Sequence, residues 1–366
     1  MAGRPPVDLH AVLRRGNLAD VRAALRADPA SARSPRLVTE AGRLAWREGL
    51  ALLVRAGADL NASWRGYHPL HALIQDAPHA RRVKPSSERL NCLDWMLAHG
   101  ADPDLAGAWP PARALVVAAF AGERAYVDRL VAGGAAVNGF VCAALADVRG
   151  VRRAIGADPA FAVARDVGGL TALQCCAGSR LGGASPSVSR ALTEVASLLA
   201  DHGADPHAKA RSWSHEIDAT YLSVSSGNRA LFEWLLDRGG DPHDALVATL
   251  WNRRLDWAES ALAHGADPNR AAEAGRPLLN ELTRWGQVEP ALWLLARGAD
   301  PNAKDGRGWT AVHQAASRGN ERLLRAMLDA GGDWSRPDAL GQTPQDVVNE
   351  RHRERLRRAV IRALLR

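Results

Sequence analysis

Residues 305–333 read DGRGWTAVHQAASRGNERLLRAMLDAGGD, and their order decides the fold. Thr310 stands where a side-chain hydroxyl caps a helix by accepting a free backbone N–H. Val312, Ala315 and Ala316 follow as a narrow apolar stripe of small residues, which lets a neighbouring helix approach closely. Gly319-Asn320 interrupts the pattern as a turn. In ERLLRAML (321–328) the apolar residues Leu323, Leu324, Met327 and Leu328 fall at i, i+1, i+4 and i+5, one face of a second helix. Gly331 then stops it. Helices commonly end on a left-handed residue that glycine adopts freely and that costs a side chain roughly 1–2 kcal/mol.

Working outward, the same ending recurs. LWLLARGADPN (292–302) parallels ESALAHGADPN (259–269), and Gly265, Gly298 and Gly331 are spaced 33 apart. Equivalent glycines stand at Gly57, Gly100, Gly134, Gly203 and Gly239. The helix start recurs as well, at His68-Pro69-Leu70-His71-Ala72, Thr171-Ala172-Leu173, Arg276-Pro277-Leu278 and Thr343-Pro344. Proline second in such a start suits the first helical position, where no N–H is needed.

In this order of turn, Thr-Pro-Leu-His-like start, helix, Gly-Asn turn, helix and Gly-Ala-Asp ending, the segment resembles one ankyrin repeat, whose period is about 33 residues. About ten such units, several degenerate, cover nearly the whole chain. The resemblance implies an all-α fold: an ankyrin-repeat solenoid of stacked helix-turn-helix units with projecting β-turn fingers. A single array over 1–366 is expected, with a capping unit at 7–35, central repeats over 36–337 and a second cap at 338–366. Insertions at 76–89 and 178–190, rich in Gly, Pro, Ser and Arg, are expected as mobile surface loops. The stretches 18–30 and 139–163 read as shortened units ending in Ala-Asp-Pro-Ala, and the 26-residue spacing from Gly239 to Gly265 implies a reduced finger. A terminal helix over 345–366 would carry seven arginines between Arg351 and Arg366.

Bulk composition narrows the function. A chain that is 47% hydrophobic and 24% charged is ordinary for a folded protein, which argues against wholesale disorder. Its formal charge is +7, nearly all from arginine, a modest excess for 366 residues. Cys92, Cys142, Cys175 and Cys176 form neither a CxxC pair nor a spaced framework and read as reduced thiols. Of the adjacent pair, one is expected in the core and the other toward the inter-helix groove. No apolar run approaches the ~20 residues needed to span a bilayer, and residues 1–15 hold none of signal-peptide length. A cytoplasmic, monomeric protein without membrane contact is expected.

No phosphate-binding Gly-rich loop or nucleophile elbow occurs, and no cysteines and histidines fall at metal-ligand spacing. No catalytic residue, cofactor site or metal site is therefore assigned, and the reading is of a non-enzyme. The resemblance implies that His71 and His313, at the histidine of the start motif, make structural hydrogen bonds between neighbouring turns. His99, His202 and His264 precede ending glycines, where a donor suits a helix C-terminus.

The resemblance also implies that a partner lies along a concave face of first helices and fingers. Twelve tryptophans are present, and Trp64, Trp109, Trp213 and Trp309 fall in finger segments beside Arg65, Arg113, Arg211 and Arg307. Tryptophan and arginine are the types most enriched at binding hot spots. A finger tryptophan can equally pack on the next finger and stiffen the row. Trp95, Trp234, Trp257 and Trp293 sit among second-helix leucines and are expected in the core. A protein or peptide partner is the leading reading. The alternative is nucleic acid, met by finger arginines, the basic stretch Arg81-Arg82-Val83-Lys84 and the C-terminal arginines.

Overall fold

The computed structural model describes residues 17–75, 84–212, 215–272 and 275–349, with His352 and Val360. They fall into two compact units, one up to Leu235 and one from Leu236. Each is all-α and built from short helix pairs of ankyrin type. In the first unit, Leu18–Ala27 is followed by the pairs Pro35–Arg43 and Arg47–Arg55, Pro69–Ile74 and Ser87–Ala98, and Ala114–Ala121 and Arg124–Ala132. Gly139–Ala144 and Val148–Ala157, Ala172–Ala177 and Pro186–Asp201, and Ala219–Ser226 with the greater part of the Arg229–Asp237 helix complete it. The second unit pairs Pro242–Trp251 with Leu255–Ala263, Leu278–Arg284 with Val288–Leu295, and Ala311–Arg318 with Glu321–Asp329.

Within the units, first helices pack on neighbouring first helices and second helices on neighbouring second helices at most steps. Thus Pro69–Ile74 lies between Pro35–Arg43 and Ala114–Ala121, while Ser87–Ala98 lies between Arg47–Arg55 and Arg124–Ala132. The residues explain this. Pro69–Ile74 and Ala172–Ala177 are buried at every position, so these six-residue helices have neighbours all round. Helices this short do not persist alone; packing holds them.

Two sets of polar bonds tie neighbouring pairs together at several steps within the units. At the histidine position of the start motif, the His71 Nε2–H donates to the Ala112 carbonyl at 3.0 Å and that of His313 to Gln342 at 3.1 Å. Gln174 donates there to Ala208 at 2.7 Å, and Asn280 to Trp309 at 2.8 Å. Each donor reaches from a first helix to the following finger. At the helix endings, the Asn302 amide donates to the Gly331 carbonyl at 2.8 Å and accepts the Asp333 N–H at 2.7 Å. Asn269 does the same with Gly298 and Asp300, and Asn61 with Gly100 and Asp102. Where the asparagine is missing, His243 Nδ1 accepts the Asp267 N–H at 3.0 Å.

The fingers between pairs are short hairpins or bridges: Ala210–Ser212 against His215–Ile217, Ala271–Ala272 against Arg276–Pro277, and Trp64 against Tyr67. No finger precedes Pro242–Trp251, where Asp241 caps the helix directly, as the shortened spacing implied. The Ala-Asp-Pro-Ala endings at 27–30 and 157–160 are equivalent: Asp28 and Asp158 each cap a 3-10 turn that starts at the proline.

Three expectations need correction. Residues 178–190 do not hang free. Arg180–Ala184 forms a 3-10 turn on the Ala114–Ala121 and Pro186–Asp201 helices, with Ser179 and Leu181 buried. The Arg180 Nε–H donates to the Ser225 carbonyl at 3.1 Å, beside a helix C-terminus that favours positive charge. Of the other insertion, residues 76–83 lie outside the described residues and 87–89 are already helix, capped by Ser86. Arg89 there donates to Leu73 at 2.8 Å and Arg43 at 2.9 Å, two first-helix carbonyls. Second, Cys175 and Cys176 are both fully buried, because the Ala172–Ala177 helix is packed on all sides; the Cys176 thiol meets the Leu192 carbonyl at 3.1 Å. Third, of the four second-helix tryptophans only Trp257 is buried. Trp95, Trp234 and Trp293 are half-buried, and the Arg297 guanidinium covers the Trp293 ring at 3.8 Å. Of the expected terminal helix, residues 344–347 form a turn and 350–366 lie outside the described residues, apart from His352 and the buried Val360.

The histidine tethers make stability pH-dependent. Burial, with a lesser contribution from His68, lowers the His71 pKa from 6.5 to about 3. The folded state keeps the ring neutral, so stability is complete above pH 6.5 and erodes as pH falls toward 3. Relative to neutral pH, His71 alone is expected to remove about 2 kcal/mol by pH 5. His71→Gln, which keeps a donor as at Gln174, is expected to flatten the acid limb of a denaturation series. Arg180→Ala is expected to cost about 1–2 kcal/mol in the same assay, the loss of a charged donor at a helix end.

Candidate partner-binding face

Finger geometry is set by aspartates that bind their own turn. Asp305 Oδ1 accepts the Arg307 and Trp309 N–H groups, both at 2.9 Å. Asp338 does the same for Leu340 and Gln342, and Asp166 for Gly168 and Leu170. A side chain that replaces two water bonds of the backbone fixes the loop and leaves the residue two places on at its tip. That tip residue is Arg307 in one finger and Leu340 in the next.

The structure divides the finger residues into two roles. Trp109 lies against the preceding finger: its indole N–H donates to the Arg65 carbonyl at 3.1 Å, and its ring leaves no room for a Cβ at Gly66. Trp309 stacks on His313 and donates to Asp338 Oδ2 at 2.9 Å in the next finger. Arg113 pairs with Asp104 at 2.9 Å, and Asp104 also accepts the Ala136 N–H. These three join neighbouring fingers and endings. Trp64, half-buried, has the Arg65 guanidinium 4.8 Å from its ring centroid and that of Arg36 5.4 Å away. Arg65 holds a left-handed backbone, φ 51°, in a two-residue turn with Gly66 at φ 80°, as the tightest hairpins require. Arg211 is exposed on a hairpin strand opposite Glu216, and Arg307 is exposed with its guanidinium 4.9 Å from the Trp309 ring. Trp213 lies outside the described residues.

One group on this face was missed by the sequence reading. Glu281 on the Leu278–Arg284 helix accepts from Arg276 of the finger at 2.9 Å and from the Trp285 indole at 3.1 Å, and pairs with Arg284 at 3.5 Å. Trp285 is 60% exposed. The only sequence signal was the i, i+4 spacing of Glu281 and Trp285, which places them on one side of a helix.

Among the described residues the thiols and the start-motif and helix-end imidazoles are committed to the fold. Burial raises the Cys92 thiol to about 12 and the Cys142 thiol to about 11, and holds Cys175 and Cys176 well above the usual range. Thiols so placed are protonated and weak as nucleophiles. His71 and His313 are buried and committed to finger carbonyls, with pKa values lowered by desolvation. His99, His202 and His264 use Nδ1–H to bond the carbonyls four residues back, at 2.7–2.8 Å, closing helix C-termini. Among the described residues no group of three or more His, Cys, Asp or Glu is placed to hold a metal. An open depression of about 430 Å³ on the second-helix side is lined by Leu292, Ala326, Asp329 and the ion-paired Glu321, Arg322 and Arg325. None of the described helices is long and apolar enough to cross a membrane.

No curated protein matches the chain. Residues 284–328 match the family described as ankyrin repeats (many copies), which supports ankyrin repeats in that stretch; repeats of this kind are generally non-catalytic interaction modules.

Proposed function

We propose that the chain is a non-catalytic interaction scaffold that holds a partner protein or peptide along the face formed by its fingers and first helices. In this reading about ten ankyrin-type repeats run through nearly the whole chain, and the protein acts as a monomer in the cytoplasm. The observation that carries it is the way the fingers are finished. Several of their backbone polar groups are bonded by aspartate, histidine and amide side chains from within the fold, while the half-buried Trp64 ring and the Arg65, Arg211 and Arg307 side chains are left at the surface. Such a surface binds through side chains, and arginine and tryptophan are the residue types that dominate binding energy when desolvated.

Trp64, Arg65, Arg211 and Arg307 are assigned here as contact residues; Trp109, Trp309 and Arg113 position them. Trp213 belongs to the proposed contacts by its place in the sequence. Nucleic acid is the rival partner. Its repeated phosphates gain most from a continuous run of uncompensated cations, whereas Arg113 and Arg307 each lie beside an aspartate.

Affinity capture from the native cell, compared between wild type and a Trp64→Ala, Arg307→Ala variant, tests this reading. A specific protein retained by the wild type and depleted tenfold or more by the variant is the expected result, with thermal unfolding unchanged. Trp109→Ala is expected to behave oppositely, lowering stability by roughly 3 kcal/mol through the lost ring and indole bond. Salt-sensitive retention of random DNA or RNA at physiological ionic strength, with no protein retained, would refute the scaffold reading.

A further inference from the structure

Among the described residues of the second unit, two large hydrophobic side chains are exposed, Trp285 at 60% and Leu340 at 85%. Both lie on the finger and first-helix side. Leu340 is a finger tip, and Trp285 closes the C-terminus of a first helix. Exposed residues of this size are unremarkable singly. Here they flank a band of charge with an unusual layering.

Within that band the carboxylates lie beneath and the guanidinium groups above. The Glu281 side chain is 15% exposed, while Arg276 and Arg284, which it holds, are 35% and 40% exposed. Asp305 is 3% exposed beneath Arg307 at 63%. The negative charges are consumed: Glu281 by two arginines and the Trp285 indole, Asp305 by two backbone N–H groups and Arg307. The second-helix side is arranged differently. There Glu259, Glu289 and Glu321 are exposed or half-exposed and pair laterally with Arg297, Arg322 and Arg325.

Glu281 also makes Trp285 rigid. An indole hydrogen-bonded at one end and covered by Arg284, 5.7 Å from its centroid, is a fixed ring that loses little entropy when it is buried. The Arg276, Glu281 and Arg284/Trp285 series runs from the finger to the far end of its first helix, so it crosses the face from edge to edge.

We infer that the second unit binds an acidic linear peptide segment flanked by apolar side chains, with the acidic residues on Arg276, Arg284 and Arg307 and the apolar ones on Trp285 and Leu340. This rests on the scaffold reading above and names the chemistry of its partner. Charge complementarity selects the occupant. Guanidinium groups already half-satisfied by a buried carboxylate retain outward N–H donors for single carboxylates. A polyphosphate backbone gains from a continuous run of uncompensated cations, which the buried Glu281 and Asp305 interrupt.

The test is a selection of a random linear peptide display library on the full chain, with random single-stranded RNA as a second probe. The wild type is expected to enrich peptides bearing a cluster of Asp and Glu between apolar residues. Trp285→Ala with Leu340→Ser is expected to weaken the selected peptides at least about tenfold, and Arg284→Gln with Arg307→Gln to do the same and abolish the salt dependence. Glu289→Ala with Arg322→Ala, on the second-helix side, is the control expected to leave them unchanged. All variants are checked by thermal unfolding, and the altered side chains are surface groups. Selected peptides that lack acidic residues, or that survive the Trp285 and Leu340 changes, overturn this inference and leave the scaffold reading standing. Recovery of no peptide overturns it too, and RNA retained tightly in that case would remove the scaffold reading with it.

Discussion

One buried donor per tether holds the architecture together: the side chain that leaves a first helix and reaches the backbone of the next finger. His71, Gln174, Asn280 and His313 occupy this place, and all are buried. A buried amide or imidazole without a partner costs about 1–3 kcal/mol, so helix and following finger are stable only together. The asparagines at the helix endings repeat the logic on another edge. Neither bond reaches beyond the adjacent repeat, which is why stability in such arrays approximates a sum of local and neighbour contributions.

The tethers also decide what the face offers. Because carbonyls and N–H groups of the fingers are answered from inside, their tips need not pair with a strand from elsewhere. In the proposed scaffold, recognition falls to side chains: tryptophan, arginine and, at one tip, leucine. Asp305 serves twice, fixing its turn and pairing with the Arg307 that stands at the tip.

Much of this was legible in the residues. Glycine endings and the 3.6-residue apolar pattern located the helix pairs, since each is a local signal with a local cause. The reduced finger at Asp241 followed from spacing alone. What stayed hidden depended on distant partners. Residues 178–190 have the composition of a free loop, yet Arg180 finds a helix C-terminus about 45 positions away. Cys175 and Cys176 alternate like groove and core residues, but packing on all sides buries both. The finger tryptophans could not be sorted by sequence, because whether an indole bonds the next finger depends on where that finger passes. Trp285 went unnoticed since its holder, Glu281, is itself held from the finger by Arg276.

All four cysteines precede Leu235, and all are buried. The helices that shelter them, Ser87–Ala98, Gly139–Ala144 and Ala172–Ala177, are separate steps of one array. A thiol reagent can meet each sulfur only after its own step has parted from a neighbour. The first unit therefore carries internal clocks for its own breathing, readable one helix at a time without any cysteine being introduced.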